Sequence, residues 1–244
     1  MKKEVLYLLF LLLVACSGED SCFSSKGAEI TEKHPVSGFH TIDIPMNVTV
    51  EIIPSDEYKI EIHSYSNRIS ALSFLVKDSI LTIKNDVSCS MLKSYETALL
   101  KVHTPVLKEI HSRTQFKVFS KDTLRFPELF LYSSIPNEKS ASTHFELKIK
   151  NQKITIEDNQ VGYFDLSGQT EMLNIGFYGA NSVLEAKTLK AHHIKVYHRS
   201  NQNMHLFPIA KLEGTIASVG HIYLYNKPDT LDINRLYSGD VVFK

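Results

Sequence analysis

The chain has 244 residues, 27 Lys and Arg against 27 Asp and Glu, no Trp, and 43% hydrophobic residues. That length suffices for one large all-β unit or two small ones with a sizeable core. A formally neutral chain gives no electrostatic case for binding nucleic acid or an anionic lipid surface.

Residues 1–15 read as a lipoprotein signal peptide. Lys2 and Lys3 form a positive n-region, and Val5 to Val14 an apolar run of about ten residues, half of what a bilayer-spanning helix needs. The run ends in Leu13-Val14-Ala15-Cys16, which resembles a bacterial lipobox. On this reading Cys16 is the lipidated first residue of the mature chain, carrying acyl groups such as palmitate, and anchors the protein without spanning the membrane. No other apolar run approaches membrane-spanning length. Residues 16–35 read as a flexible tether, because Ser17-Gly18-Glu19-Asp20-Ser21 and Ser24-Ser25-Lys26-Gly27 are small and polar. The Glu19-Asp20 pair resembles the surface-export signal of lipoproteins in Bacteroidetes-type bacteria. The expected location is therefore the outer membrane, on its cell-surface or its periplasmic face. Cys22, in the tether, and Cys89, in an expected loop, read as incidental, with a disulfide between them left open.

Residues 36–244 read as one all-β domain, with a candidate sub-division near 137–145. Ile42, Ile44, Met46, Val48, Val50 and Ile52 alternate with polar residues, the period of a half-buried strand. Pro45 implies that this strand is an edge or is bulged there. Ile60 with Ile62, and Leu81 with Ile83, repeat the alternation. Residues 67–76 suit a short helix or turn, and 85–97 and 137–143 suit loops. Further strands are expected at 100–102, 116–118 and 129–131. From Ile154 onward, apolar centres recur near Phe164, Leu173, Leu184, Ile194, Leu206, Leu212, Ile222, Ile233 and Val241, about ten residues apart with turn residues such as Ser167-Gly168 between them. Two such strands per rung give a coil of about twenty residues, a solenoid-like (β-helix) stack with little or no helix.

The order of several segments resembles the family of bacterial surface proteins called "putative auto-transporter adhesin, head GIN domain", over roughly residues 36–244. It rests on Val36-Ser37-Gly38-Phe39-His40-Thr41-Ile42-Asp43-Ile44 followed by Val48-Thr49-Val50, and on Val76-Lys77-Asp78-Ser79-Ile80-Leu81-Thr82-Ile83. Near the C-terminus it rests on Ser218-Val219-Gly220-His221-Ile222-Tyr223-Leu224-Tyr225-Asn226-Lys227-Pro228 and Ser238-Gly239-Asp240-Val241-Val242-Phe243. The resemblance implies an all-β fold with solenoid-like coils and a cell-envelope role; it implies no particular activity. The repeated Gly-Ser-Gly turns of the family are eroded here, for example to Tyr197-His198-Arg199-Ser200-Asn201 and Ala217-Ser218-Val219-Gly220.

No catalytic set stands out. Adjacent His192 and His193 would point to opposite faces of a strand, and no metal-ligand spacing occurs among the eleven histidines. Glu157-Asp158 and Asp165 are the candidate carboxylates for glycoside cleavage, which needs two carboxyls across one groove. No nucleophile elbow, phosphate loop or Cys-x-x-Cys is present, so no cofactor and no metal is expected. Asp-Ser/Thr-apolar triplets place candidate O-glycosylation at Ser79, Thr123 and Thr230, a pattern similar to the Bacteroides-type acceptor and also to ordinary turn chemistry. Tyr163, Tyr178, Tyr197, Tyr223, Tyr225 and Tyr237 could form an outward ladder, binding sugar rings or a protein, or simply stiffening the sheet. The expected role is non-catalytic binding or adhesion, with structural assembly in the envelope second and a carbohydrate-active enzyme third. The expected partners are the membrane, through the lipid, and a carbohydrate or protein ligand.

Overall fold

The computed structural model describes residues 27–86, 97–133 and 142–244. The first part runs β1 (Glu29–Pro35), β2 (Thr41–Ile44), β3 (Val48–Pro54), β4 (Lys59–Tyr65), a one-turn helix α1 (Ser66–Ile69), β5 (Leu72–Lys77), β6 (Ile80–Asn85), β7 (Ala98–Thr104), β8 (Glu109–Ser112), β9 (Lys117–Phe119) and β10 (Glu128–Tyr132). Four long strands follow: β11 (Ser142–Asp158), β12 (Val161–Phe177), β13 (Val183–His198) and β14 (Met204–Ile216). The short β15 (Ile222–Leu224), β16 (Thr230–Arg235) and β17 (Val241–Phe243) close the series. All belong to one 17-stranded sheet that curls into a half-barrel. The all-β class is as expected. No described helix is long and apolar enough to cross a membrane.

Alternation decides which side chains enter the core. Ile42, Ile44, Val48, Val50 and Ile52 are all fully buried, whereas Met46 is exposed. The strand expected to be an edge or bulged at Pro45 is instead two strands separated by a turn. β2 lies between β6 and β8, and β3 between β7 and β9, so neither is an edge. Proline has no N–H for a ladder, and the turn takes it out of the sheet, with Asn47 at φ 63°. Part of the expected tether is a strand. Residues 29–35 form β1, antiparallel to β4, with His34 opposite Ile60 and Ile30 opposite Ser64. Pairing satisfies the backbone edge that β4 would otherwise leave open. The signal peptide, Cys16, Cys22 and Cys89 lie outside the described residues, as does most of each expected loop; Ser142 and Thr143 already belong to β11.

The long strands are parallel and nearly in step. Phe145 pairs with Phe164, Phe164 with Leu184, Leu184 with Met204, Met204 with Ile222, and Ile222 with Val241. On the other limb the column is Ile154, Leu173, Ile194, Leu212 and Leu231. The repeat is therefore about twenty residues; β12, β13 and β14 each hold two of the apolar centres expected from the sequence, and β11 holds one. The turn expected at Ser167-Gly168 is a bend inside β12. Gly168 has φ +109°, and a Cβ there would lie 2.0 Å from the Ile149 carbonyl oxygen. Such bends bring the two ends of β12 together, and the Phe164 and Phe177 rings are 5.7 Å apart. The core is continuous across 137–145, so the candidate sub-division does not divide it: Leu129 and Leu131 of β10 pair with Ile154 and Ile156 of β11.

Aromatic rings line the interior. Phe145 stacks on Phe164 at 5.4 Å and 15°, Phe177 follows, and His198 ends the series 6.4 Å from Phe177. His198 is fully buried, and neither ring nitrogen has a hydrogen bond of ordinary geometry. Burial pushes its pKa down to about 4, with only the Gln202 backbone opposing. Unfolded, the ring takes a proton near pH 6.5. Its contribution to stability is thus complete above pH 6.5 and falls as the pH drops from there towards 4. At 1.36 kcal/mol per pKa unit, that loss is about 2 kcal/mol between pH 7 and pH 5. Urea unfolding at the two pH values should show His198→Leu losing less stability than wild type by that amount; equal losses would refute a buried neutral imidazole.

Candidate functional site

The second limbs of β11 to β14, with β16, carry two outward rows. One is Thr155, Asn174, Lys195, Glu213 and Asp232; the other is Glu157, Gly176, Tyr197, Thr215 and Asn234. Their alternation partners Ile156, Ile175 and Val196 are buried beneath them. These rows border an open groove of about 640 Å³. Its floor is aromatic because of one missing side chain. Gly176 stands where a side chain would lie beside Tyr197, and the Tyr178 ring occupies that place, with its Oη 2.6 Å from where a Cβ would be. The Tyr178 amide donates to the Asp158 carbonyl at 2.8 Å, which turns the chain back over the strand end. The Tyr178 and Tyr197 rings are 5.6 Å apart at 32°, and remain 44% and 38% exposed. Burial, and then the nearby Glu157 charge, raise the pKa of the Tyr178 hydroxyl, which stays protonated at neutral pH.

The polar rim is partly neutralised. Lys211 bonds the Glu213 carboxylate at 2.5 Å and Lys195 approaches it at 3.5 Å. The Lys211 hydrogen bond is the main reason that carboxyl titrates below its ordinary value. Among the described residues Glu157 and Asp232 have no ion pair, and Asn234 has no side-chain hydrogen bond. Asn174 makes only a long one, 3.5 Å to Thr155 Oγ1. The groove thus presents two tyrosine faces beside polar groups that are not already engaged.

The candidate carboxylates from the sequence do not converge. Asp158 is fully buried and structural: it accepts from Ser133 Oγ, from Ser182 Oγ at 2.6 Å and from the Gln160 amide at 2.9 Å. Asp165 lies on the other limb, in a row with Glu146 and Glu185, so only Glu157 reaches the groove. His192 and His193 do not point to opposite faces. Both are exposed with rings 4.8 Å apart, because a register shift between Ala191 and His193 bulges the strand. No group of three or more His, Cys, Asp and Glu side chains suited to a metal occurs among the described residues.

The expected tyrosine ladder divides. Tyr178 and Tyr197 share the groove; Tyr223 stacks on His205 at 5.1 Å, and the Tyr225 hydroxyl bonds His205 Nδ1 at 3.0 Å. Tyr163 packs edge-on against His144, and Tyr237 stands exposed beyond β16. Ser79 is exposed in the β5–β6 turn at φ 61° after Asp78 at φ 51°, and its carbonyl accepts from the His40 and Thr41 amides. Thr123 is half-buried and Thr230 is exposed at the start of β16. Asn174, Lys195, Glu213, Asp232 and Asn234 were not singled out from the sequence. Only Asn234 shares the row of Tyr197; the other four form the row of Lys195, two residues before Tyr197 on β13.

This sheet and its step have known counterparts. Residues 38–228 match the family described as "putative auto-transporter adhesin, head GIN domain". The chain belongs to that family. Solved structures share the fold at low identity. A putative adhesin from Bacteroides fragilis NCTC 9343 superposes with a TM-score of 0.79 at 17% identity, covering 89% of this chain and 97% of that one. A putative adhesin from Parabacteroides distasonis ATCC 8503 gives 0.62 at 14%, covering 89% and 98%. A protein from the same strain described as a putative lipid binding protein gives 0.56 at 14%, covering 88% and 97%. No curated protein matches the sequence.

Gly214 sets the groove's far wall. It has φ +143°, and a Cβ would sit 1.9 Å from the Val196 carbonyl oxygen. Gly214→Ala should destabilise the protein by about 3 kcal/mol through backbone strain and overlap, against about 0.5 kcal/mol for the neighbouring Thr215→Ala. Urea midpoints for the two variants check this; a loss below 1 kcal/mol at Gly214 would mean that the strand relaxes freely there.

Proposed function

We propose that this GIN-family protein is a lipid-anchored cell-envelope component with a non-catalytic binding or adhesion role, and that the Tyr178–Tyr197 groove is its binding face. The observation that carries this reading is the pair of exposed, adjacent tyrosine rings held on a parallel ladder beside unengaged polar groups. The carboxylates that the sequence offers as a cleavage pair do not meet, since Asp158 is buried and hydrogen-bonded and Asp165 lies on the other limb from Glu157. The family's adhesin description, and the neighbour described as lipid binding, are consistent with a binding role. We read the twenty-residue step as a solenoid-like coil with the groove along one limb. Cys16 supplies the anchor at the outer membrane, and the Glu19-Asp20 pair favours the cell surface.

Protease shaving of intact cells tests location, and retention on mucin- or matrix-coated surfaces tests binding. Wild type should be digested from outside and retain cells; Cys16→Ala should lose both; Tyr178→Ala/Tyr197→Ala should be digested equally but lose retention by about tenfold. Protection of the wild type until the outer membrane is opened would overturn surface adhesion.

Ser79, Thr123 and Thr230 are proposed acceptors for O-glycosylation, supported by the exposure of Ser79 and Thr230. Intact-mass analysis should then show added hexose-sized increments that vanish in the triple alanine variant; an unmodified wild-type mass would remove this proposal.

A second reading, assembly with other envelope proteins, draws on one observation. Leu231, Leu236, Tyr237 and Phe243 are exposed together around β16 and β17.

A further inference from the structure

The geometry points to a neutral carbohydrate chain as the groove's ligand, packing its C–H faces against the Tyr178–Tyr197 pair. This rests on the groove being the binding face. Three features of the site select that chemistry.

The first is the platform. Pyranose rings present a face of C–H bonds that packs against an aromatic face, and the C–H groups complement the negative π surface. A single ring would offer one such contact. Here Tyr178 fills the place left by Gly176, so a second exposed ring adjoins Tyr197, with centroids 5.6 Å apart and planes tilted by 32°.

The second is the rim. Sugars need donors and acceptors placed beside the stacking face. Asn174 and Asn234 provide both, and Glu157 and Asp232 are acceptors able to take two hydroxyls each. Among the described residues none of these four is held in an ion pair, and the one side-chain hydrogen bond among them is the long Asn174–Thr155 contact at 3.5 Å, so a hydroxyl would mostly replace water.

The third is charge. The side chains that line the groove include three carboxylates, Glu157, Glu213 and Asp232, against one ammonium, Lys195. Lys195 and Lys211 are both engaged by Glu213. A uronate, sulfate or sialic carboxylate entering the groove would meet the uncompensated Glu157 and Asp232 and no free cation. Repulsion of that kind excludes competitors more effectively than attraction selects a ligand.

Saturation-transfer NMR and titration calorimetry on the full protein give the test. The probes are neutral hexasaccharides (β-1,4-glucan, β-1,4-mannan and α-1,4-glucan) and an oligogalacturonide of equal length. At least one neutral chain should bind in the millimolar range or tighter. Tyr197→Ala should weaken it about tenfold, equivalent to 1.4 kcal/mol, while Tyr163→Ala, on the other limb, leaves it unchanged. The oligogalacturonide should bind at least tenfold more weakly, and Glu157→Gln/Asp232→Asn should narrow that gap. Thermal melts confirm that each variant is folded.

If no neutral hexasaccharide binds while the double tyrosine variant still loses surface retention, the carbohydrate assignment is wrong and the groove takes a protein chain. If Tyr163→Ala weakens the sugar as much as Tyr197→Ala, the assignment to this groove is wrong. If the anionic chain binds as well as the neutral ones, the charge argument is wrong.

Discussion

Everything in this protein depends on the parallel register of its long strands. A constant step of about twenty residues puts like beside like, so a choice made once in a strand is repeated along a column. Phe145, Phe164, Leu184, Met204 and Ile222 form one buried column, and Ile154, Leu173, Ile194 and Leu212 another. Each strand covers the apolar edge of its predecessor, and none of them could bury its own alone. The bends that make this possible need backbone geometry that a side chain would block. Gly168 supplies it in β12, with the Ile149 carbonyl oxygen where the Cβ would be; Gly214, beside Val196 within the second limb, is under the same constraint.

The proposed binding face is a by-product of the same register. Outward residues also fall into rows, and a row becomes a platform wherever its members are aromatic or absent. Gly176 is the absence that matters: without it Tyr178 could not lie beside Tyr197. The buried seam under this limb is also fixed. Asp158 ties Ser133 and Ser182 together, while Ser200 bonds the Ser182 carbonyl at 2.7 Å. A charged group inside a fold is expensive unless its lone pairs are met, and here three donors meet them. Asp158 looks catalytic from sequence because it neighbours Glu157; burial makes it a strut.

How far the sequence was legible follows from which signals are local. Period-two alternation is local, and it correctly predicted the strands around Ile42, Ile60 and Leu81. The ten-residue spacing also survived, as two limbs of one bent strand. What failed depended on partners. Residues 29–35 carry too few apolar side chains to announce a strand, and they are ordered by the open edge of β4. His192 and His193 share a face because the strand bulges, and no intrinsic property of two histidines signals a bulge. Pro45 announced a break but not its form, since a turn and an edge both solve the missing N–H. Of the groove, the two tyrosines and Glu157 were visible, and their polar neighbours were not. Asn174, Asp232 and Asn234 belong to the site only through register across four strands, β12, β13, β14 and β16.

A rigid ladder suits weak, repeated contacts better than a mobile loop would. Ordering side chains on binding costs roughly 0.5–1.5 kcal/mol for each one immobilised, a large fraction of what a single stacked ring returns. Tyr178 avoids most of that cost, because its ring already lies over the Gly176 backbone and its amide is tied to the Asp158 carbonyl. Tyr197 sits within β13 with paired strands on both sides. The free protein therefore presents these two rings close to the arrangement in which they would act. Affinity for one ligand unit would still be modest, since the groove is open and its polar groups face water. Many copies on one surface would multiply that affinity without any new contact. Under the proposed surface anchoring, a shallow preformed site and high copy number are sufficient for adhesion, and neither a lid nor a catalytic group is required.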